Sequence, residues 1–260
     1  MISCGECGYS TKRNQRRCIK CGACTRDGTF EHFLIDDIKK FKYLKAEIRI
    51  FPSFFGNKSI SHWLGDLDLS QYFKMASLPQ STDGYSVDVV VNSANNFFIH
   101  GSGFAKYLRE ELGDSYSFSC EKYIKEHPNI KKGDSIFIPI KSVPGINFGI
   151  MQAVSIFYTR SAHSLSIQPS NWNDIFSCIF SSLKTCDDFG YKSIAFPQMA
   201  SRTGYSIYGS DAYKQMLIAT YLAITNYLAV NSSGIEYIYI HPTDYVAEEF
   251  LINLLEQNPV

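Results

Sequence analysis

The sequence predicts a three-layer α/β/α fold with a mostly parallel central sheet, preceded by a small cysteine-rich module. Three observations carry this reading. Short β-branched runs such as Val89-Val90-Val91 read as strands buried on both faces. They alternate with amphipathic stretches long enough to be helices, the pattern of βαβ units that cover a sheet. Five of the eight cysteines fall within the first 24 residues, apart from that alternation.

The module comes first, over residues 1–28. Cys4-Gly5-Glu6-Cys7-Gly8 and Cys18-Ile19-Lys20-Cys21-Gly22 are two Cys-x-x-Cys-Gly knuckles separated by ten residues. Each pairs two thiolates, and the glycine after the second cysteine permits a tight turn. Four thiolates in tetrahedral array suit one structural Zn²⁺, with a disulfide framework or an iron site as the alternatives. Cys24 is then a spare thiol. A module this small lacks a hydrophobic core, so the metal would supply its folding free energy. Lys12, Arg13, Arg16, Arg17, Lys20 and Arg26 against Glu6 give residues 1–26 a charge of +5, and the neutral chain total leaves −5 for the rest. A basic head on an acidic body implies different partners, with nucleic acid a candidate for the head.

Residues 29–58 read as a linker. Phe30, Phe33, Leu34, Ile38, Phe41 and Leu44 fall on one stripe and predict a helix from Phe30 to Lys45. Ala46 to Phe51 alternates and predicts a strand ended by Pro52. The main domain is expected over 59–260. It begins with a short strand over Ser59 to Leu64, followed by a long loop over 70–86. Val89 opens the next strand, then come a helix from Phe104 to about His127 and strands at Ser135 to Ile140 and Phe148 to Phe157. A helix over Asn171 to Phe189, a strand over Ser193 to Met199, a helix over Ser210 to Val230, a strand over Glu236 to His241 and a last helix from about Asp244 complete it. The 45% hydrophobic content of a 260-residue chain suffices for one full core. No uncharged apolar run approaches the roughly 18 residues that span a bilayer, and the first residues do not read as a signal peptide. The expectation is a cytoplasmic protein with no membrane partner.

The most informative stretch runs from Val89 to Ala105. A buried strand passes through polar Asn95 and Asn96 to Gly101-Ser102-Gly103, and Phe104, Leu108 and Leu112 then mark a helix. Strand, glycine-rich loop and helix in this order aim backbone N–H groups and a helix dipole at a phosphate. Carboxyl ends of strands in open α/β sheets are where ligands sit.

Asn92-Ser93-Ala94-Asn95 followed by His100-Gly101-Ser102-Gly103-Phe104-Ala105 resembles, without gaps, the first ADP-ribose loop of macrodomains. Ser193 to Met199 resembles the strand entering that family's second phosphate loop, Ser201 to Gly209 the loop itself, and Gly65-Asp66-Leu67 its opening. The resemblance implies an ADP-ribose-binding macrodomain that hydrolyses terminal ADP-ribosyl linkages on protein or on a nucleic-acid end. Its alternatives are a non-catalytic reader of ADP-ribosylated targets and an ADP-ribose-1″-phosphate phosphatase. It implies that Asn95 holds the distal ribose or the attacking water, and that His100 touches the distal ribose or leaving group. Asn92, Gly101, Ser102, Gly103 and Phe104 would line the first loop, Thr203, Gly204 and Tyr205 the second, and Asp66 would accept from the adenine amino group. Ala105 stands where many hydrolytic members carry an aspartate. His241 is the nearest match to the family's stacking aromatic.

Overall fold

The protein was described from a computed structural model covering residues 2–3, 10–11, 38–50, 87–100, 103–138, 149–160, 165–168, 170–199, 212–242 and 245–257. At the N-terminus β1 (Ile2–Ser3) pairs antiparallel with β2 (Ser10–Thr11), Ile2 lying opposite Thr11. Among the described residues the main sheet has eight strands: β3 (Lys39–Tyr43), β4 (Ala46–Ile50), β5 (Val89–Asn95), β6 (Ser135–Ile138), β7 (Gly149–Arg160), β8 (Leu165–Gln168), β9 (Ser193–Pro197) and β10 (Tyr237–His241). Their order is β3-β4-β10-β9-β5-β7-β6, with β8 paired to β7. The five inner strands β4, β10, β9, β5 and β7 run parallel, while β3, β6 and β8 join antiparallel.

Among the described residues four helices cover the two faces: α1 (Gly103–Glu126), α2 (Trp172–Asp188), α3 (Ala212–Val230) and α4 (Tyr245–Gln257). On one face Ile48, Val89, Val91, Met151, Ile194 and Phe196 pack with Ile179 and Leu183 of α2, Leu217 and Ile224 of α3 and Leu251 of α4. On the other face Val90, Ile150, Val154 and Ala195 pack with Leu108, Leu112, Tyr116 and Cys120 of α1. The expected three layers are present. α2 starts as its sequence dictates: Asn171 Oδ1 accepts from the Asp174 amide at 3.0 Å, and Asp174 Oδ2 accepts from the Asn171 amide at 2.8 Å.

Three expectations need correction or refinement. Residues 39–43 form an edge strand and not the end of a helix, because Phe41 and Tyr43 alternate with Lys40 and Lys42 and pack on the core as β3. The hairpin to β4 turns at Leu44, whose φ of 52° is incompatible with a helix. α1 is broken at Gly113, at φ 68° and ψ −160°, so the single predicted helix is two joined segments. β8 escaped prediction, since four residues give too short an alternation to read. The knuckle cysteines, the predicted helix up to residue 37, the strand at 59–64, the opening at 65–67 and the loop at 70–86 lie outside the described residues.

Gly149 begins β7 where the Phe137 ring, packed in turn on Phe189 and Tyr191, covers its α-carbon. A Cβ at Gly149 would run into that ring. Gly149→Ala is therefore expected to destabilise the fold by about 1–3 kcal/mol through overpacking, read as a lower denaturant midpoint. An unchanged midpoint would contradict the packing described.

Candidate functional site

The parallel strands bring the ends of β5, β9 and β10 to one edge of the sheet, where His241 registers with Pro197 and the Gln198 amide donates to the His241 carbonyl at 2.9 Å. β5 is the inner strand from which the site is built. Its pairing with β7 shifts register between Ala94 and Asn95, so that Asn95 lies opposite Ile156. The shift frees the chain to turn, and two asparagines fasten the turn from opposite sides.

Asn95 folds its amide back into its own loop. Its Oδ1 accepts from the amides of Phe97 at 3.1 Å and Ile99 at 3.0 Å, and its Nδ2 donates to the Ile99 carbonyl at 3.0 Å. Both lone pairs are thereby taken, and one N–H of the amide remains. Asn96 reaches across to β7, accepting from the Tyr158 amide at 2.7 Å and donating to the Tyr158 carbonyl at 3.1 Å. Phe98 is buried with φ 48°, a conformation costly for an aromatic residue, and its ring stacks on Tyr123 of α1 at 6.3 Å.

His100 packs against Tyr116 at 5.0 Å between ring centroids. Its Nε2 is buried without a partner among the described residues. Burial, reinforced by the Arg109 charge, pushes its pKa down to about 4, so the imidazole is neutral near pH 7. Beneath it runs a buried polar chain. Asn92 Nδ2 donates to Gln152 Oε1 at 2.8 Å, and Gln152 Nε2 donates to the Tyr116 hydroxyl and to Cys120 Sγ. Asn92 and Gln152 are register partners on β5 and β7, and Asn92, at 1% exposure, belongs to the floor of the loop. Sequence reading did not single out Gln152, Tyr116 or Asn96 for this role. Gln152 and Ser155 were visible as polar residues within an otherwise apolar strand, which is the signal of a buried network.

α1 begins at Gly103, and its first turn carries no acidic residue, so nothing on the helix offsets the positive end of its dipole. Of Gly103 and Phe104 the backbone is helical. Gly101, Ser102, Thr203, Gly204, Tyr205 and Asp66 lie outside the described residues. His241 is 7% exposed at the end of β10. Among the described residues there is no cluster of metal-ligating side chains. Cys120, Cys178 and Cys186 are buried, and burial pushes the Cys120 thiol up to about 12 and the other two higher, which leaves all three protonated and unreactive.

The family model described as Macro domain matches residues 91–213, the span from within β5 to the start of α3. The protein is also similar to solved structures of the Oceanobacillus iheyensis macrodomain. A variant of it with ADPR superposes at TM-score 0.57 and 13% identity, covering 85% of this chain and 97% of that one. The same macrodomain with ADP gives the same TM-score and identity, with 85% and 95% covered. No curated protein matches the sequence. Part of the chain thus resembles the Macro domain, and its sheet and helices have the fold of the solved macrodomain structures.

The lowered pKa of His100 predicts a pH dependence. The unfolded chain takes up the proton near the ordinary value of 6.5 while the fold resists it until about 4. The stability that His100 contributes is thus complete above about 6.5 and is lost as pH falls toward 4. Denaturation at a series of pH values is expected to show His100→Gln losing less stability than wild type across that window. Equal losses would show that His100 titrates normally.

Proposed function

We propose that the protein binds ADP-ribose, free or as the terminal group of a larger molecule, at the carboxyl edge of β5 and β9. The observation that carries this reading is the helix start at Gly103. The turn held by Asn95 and Asn96 leads into it, and its dipole faces no acidic side chain on the first turn. The likeness to a macrodomain with ADPR and with ADP supports the same ligand. In this reading Gly101 to Phe104 cradle the diphosphate, Thr203 to Tyr205 supply the second loop, and Asp66 receives the adenine amino group. Asn92 supports the loop from beneath.

The local geometry favours recognition over turnover. With both lone pairs of Asn95 taken by the loop, its amide has one N–H to give to a ribose hydroxyl and no acceptor with which to orient a water. His100 is a neutral imidazole with no carboxylate found beside it among the described residues, and Ala105 supplies none. Hydrolysis of a terminal ADP-ribosyl bond would then depend on the substrate's own phosphates.

Added ADP-ribose is expected to raise the melting temperature, since a ligand at 100 times its Kd stabilises by about 2.7 kcal/mol. Asn95→Ala should lower the stability of the unliganded protein by about 1–3 kcal/mol through the lost turn bonds, and weaken binding as well. No thermal shift at millimolar ADP-ribose rejects the site. Release of ADP-ribose from a mono-ADP-ribosylated protein or nucleic acid, lost in Asn95→Ala, replaces the reader by a hydrolase.

We propose further that Cys4, Cys7, Cys18 and Cys21 hold one structural zinc ion. The antiparallel pairing of Ile2–Ser3 with Ser10–Thr11 is compatible with this, because it brings together the residues that flank Cys4 and Cys7 in the sequence. Elemental analysis should find about one zinc per chain, unchanged in Cys24→Ser and lost in Cys7→Ser. Metal-free protein prepared without chelator would refute the assignment.

A further inference from the structure

A glutamine stands where the core would accept a hydrocarbon. On β7 the side chains of Ile150 and Val154 pack with α1, and Gln152 lies between them on the same face, wholly buried. Its register partner on β5 is Asn92, also buried, between Val90 and Ala94. Replacing both members of such a bonded pair by apolar groups of the same shape is commonly near neutral, so packing alone gives no reason for the two amides.

Gln152 joins two elements with one amide. Its Oε1 accepts from Asn92 Nδ2 at 2.8 Å, and its Nε2 donates to the Tyr116 hydroxyl and to Cys120 Sγ. Tyr116 in turn meets the His100 ring, at 5.0 Å between centroids and tilted by 53°. The chain of contacts thus runs from Asn92 to His100, the residues on either side of the turn that Asn95 and Asn96 hold. Helical continuity does not place Tyr116, because the break at Gly113 separates it from the segment that starts at Gly103. Its hydroxyl bond to the sheet, with the packing of its ring, does so instead.

The middle of this chain is bonded and its two ends are not. Asn92 Oδ1 and His100 Nε2 are buried with no hydrogen-bond partner among the described residues. A network kept for stability alone would close its ends, since a buried polar atom left unpaired costs free energy.

We propose that Gln152 is a positioning residue of the ligand site, setting the amide of Asn92 and, through Tyr116, the ring of His100. The inference rests on the ADP-ribose reading and adds to it a residue that touches no ligand. Without the Gln152 acceptor the Asn92 amide is free to rotate. Without its donor the Tyr116 ring loses the bond that holds it in place against His100.

The test compares the full chain with Gln152→Met, Gln152→Glu and Tyr116→Phe. Methionine keeps the length and removes both bonds. Glutamate keeps an acceptor for Asn92 and a partner for the Tyr116 hydroxyl, and phenylalanine keeps the ring while removing the link. ADP-ribose affinity is measured by calorimetry, and the His100 imidazole is followed by nitrogen NMR without ligand. Gln152→Met and Tyr116→Phe should each weaken binding by about tenfold, the worth of one or two net hydrogen bonds, and should move the His100 ring resonances. Gln152→Glu should bind within about threefold of wild type, with those resonances in place. Full affinity in Gln152→Met, or in Tyr116→Phe should the methionine variant fail to fold, would overturn the proposal and leave the amide as a core hydrogen bond. A folded Gln152→Glu as weak as Gln152→Met would overturn it too. If wild type itself binds no ADP-ribose the ligand reading falls, and the resonances still decide. Shifts in Gln152→Met and Tyr116→Phe that Gln152→Glu restores keep the positioning role, and unmoved resonances refute it.

Discussion

β5 runs between β7 and β9 with Val89, Val90 and Val91 wholly buried, and the rest of the structure follows from that confinement. A strand covered on both faces has no water to receive its polar groups, so partners within the sheet or beneath a helix stabilise it. Asn92 meets Gln152 across the β5–β7 pairing, and Gln152 meets Tyr116 and Cys120 of α1. Ser93 pairs with Ser155 at 2.7 Å on the same two strands. These bonds tie the strand, its neighbour and the covering helix into one unit. They also set the level at which the strand can end.

The end itself is shaped by the same rule. Once the register slips at Asn95, the freed backbone groups are taken up by the Asn95 and Asn96 amides, which hold the turn rigidly over β7. The rigidity has a chemical consequence. An asparagine committed to its own loop is a poor manager of water, and a histidine desolvated against Tyr116 is a poor acid at neutral pH. What the edge retains is shape, a buried floor and the unneutralised start of α1, all of which suit holding an anion.

Much of this was legible in the residue pattern. The β-branched runs and helical stripes place the inner strands and three of the four helices within a few residues, because burial on both faces, or on one face of a helix, leaves a strong periodic signature. The loop after β5 was legible for a different reason: its polar and small residues have no use in a core. Edge strands β3 and β8 were not legible, although β6 at the other edge was. Phe41 and Leu44 fit a helical stripe as well as they fit a strand, and only the presence of β4 beside Lys39–Tyr43 decides between them. β8 exists because β7 is long enough to offer it a partner.

The sequence by itself determined the fold class, the inner strands of the sheet and the position of the turn after β5. It did so through local composition, which acts at short range. The tertiary structure alone decided strands β3 and β8, the break at Gly113 and the roles of the polar side chains. Those depend on neighbours distant in the chain. Asn95 reads from sequence as an amide offering donor and acceptor alike, and only the fold, by closing the loop on it, fixes which of the two is left to give.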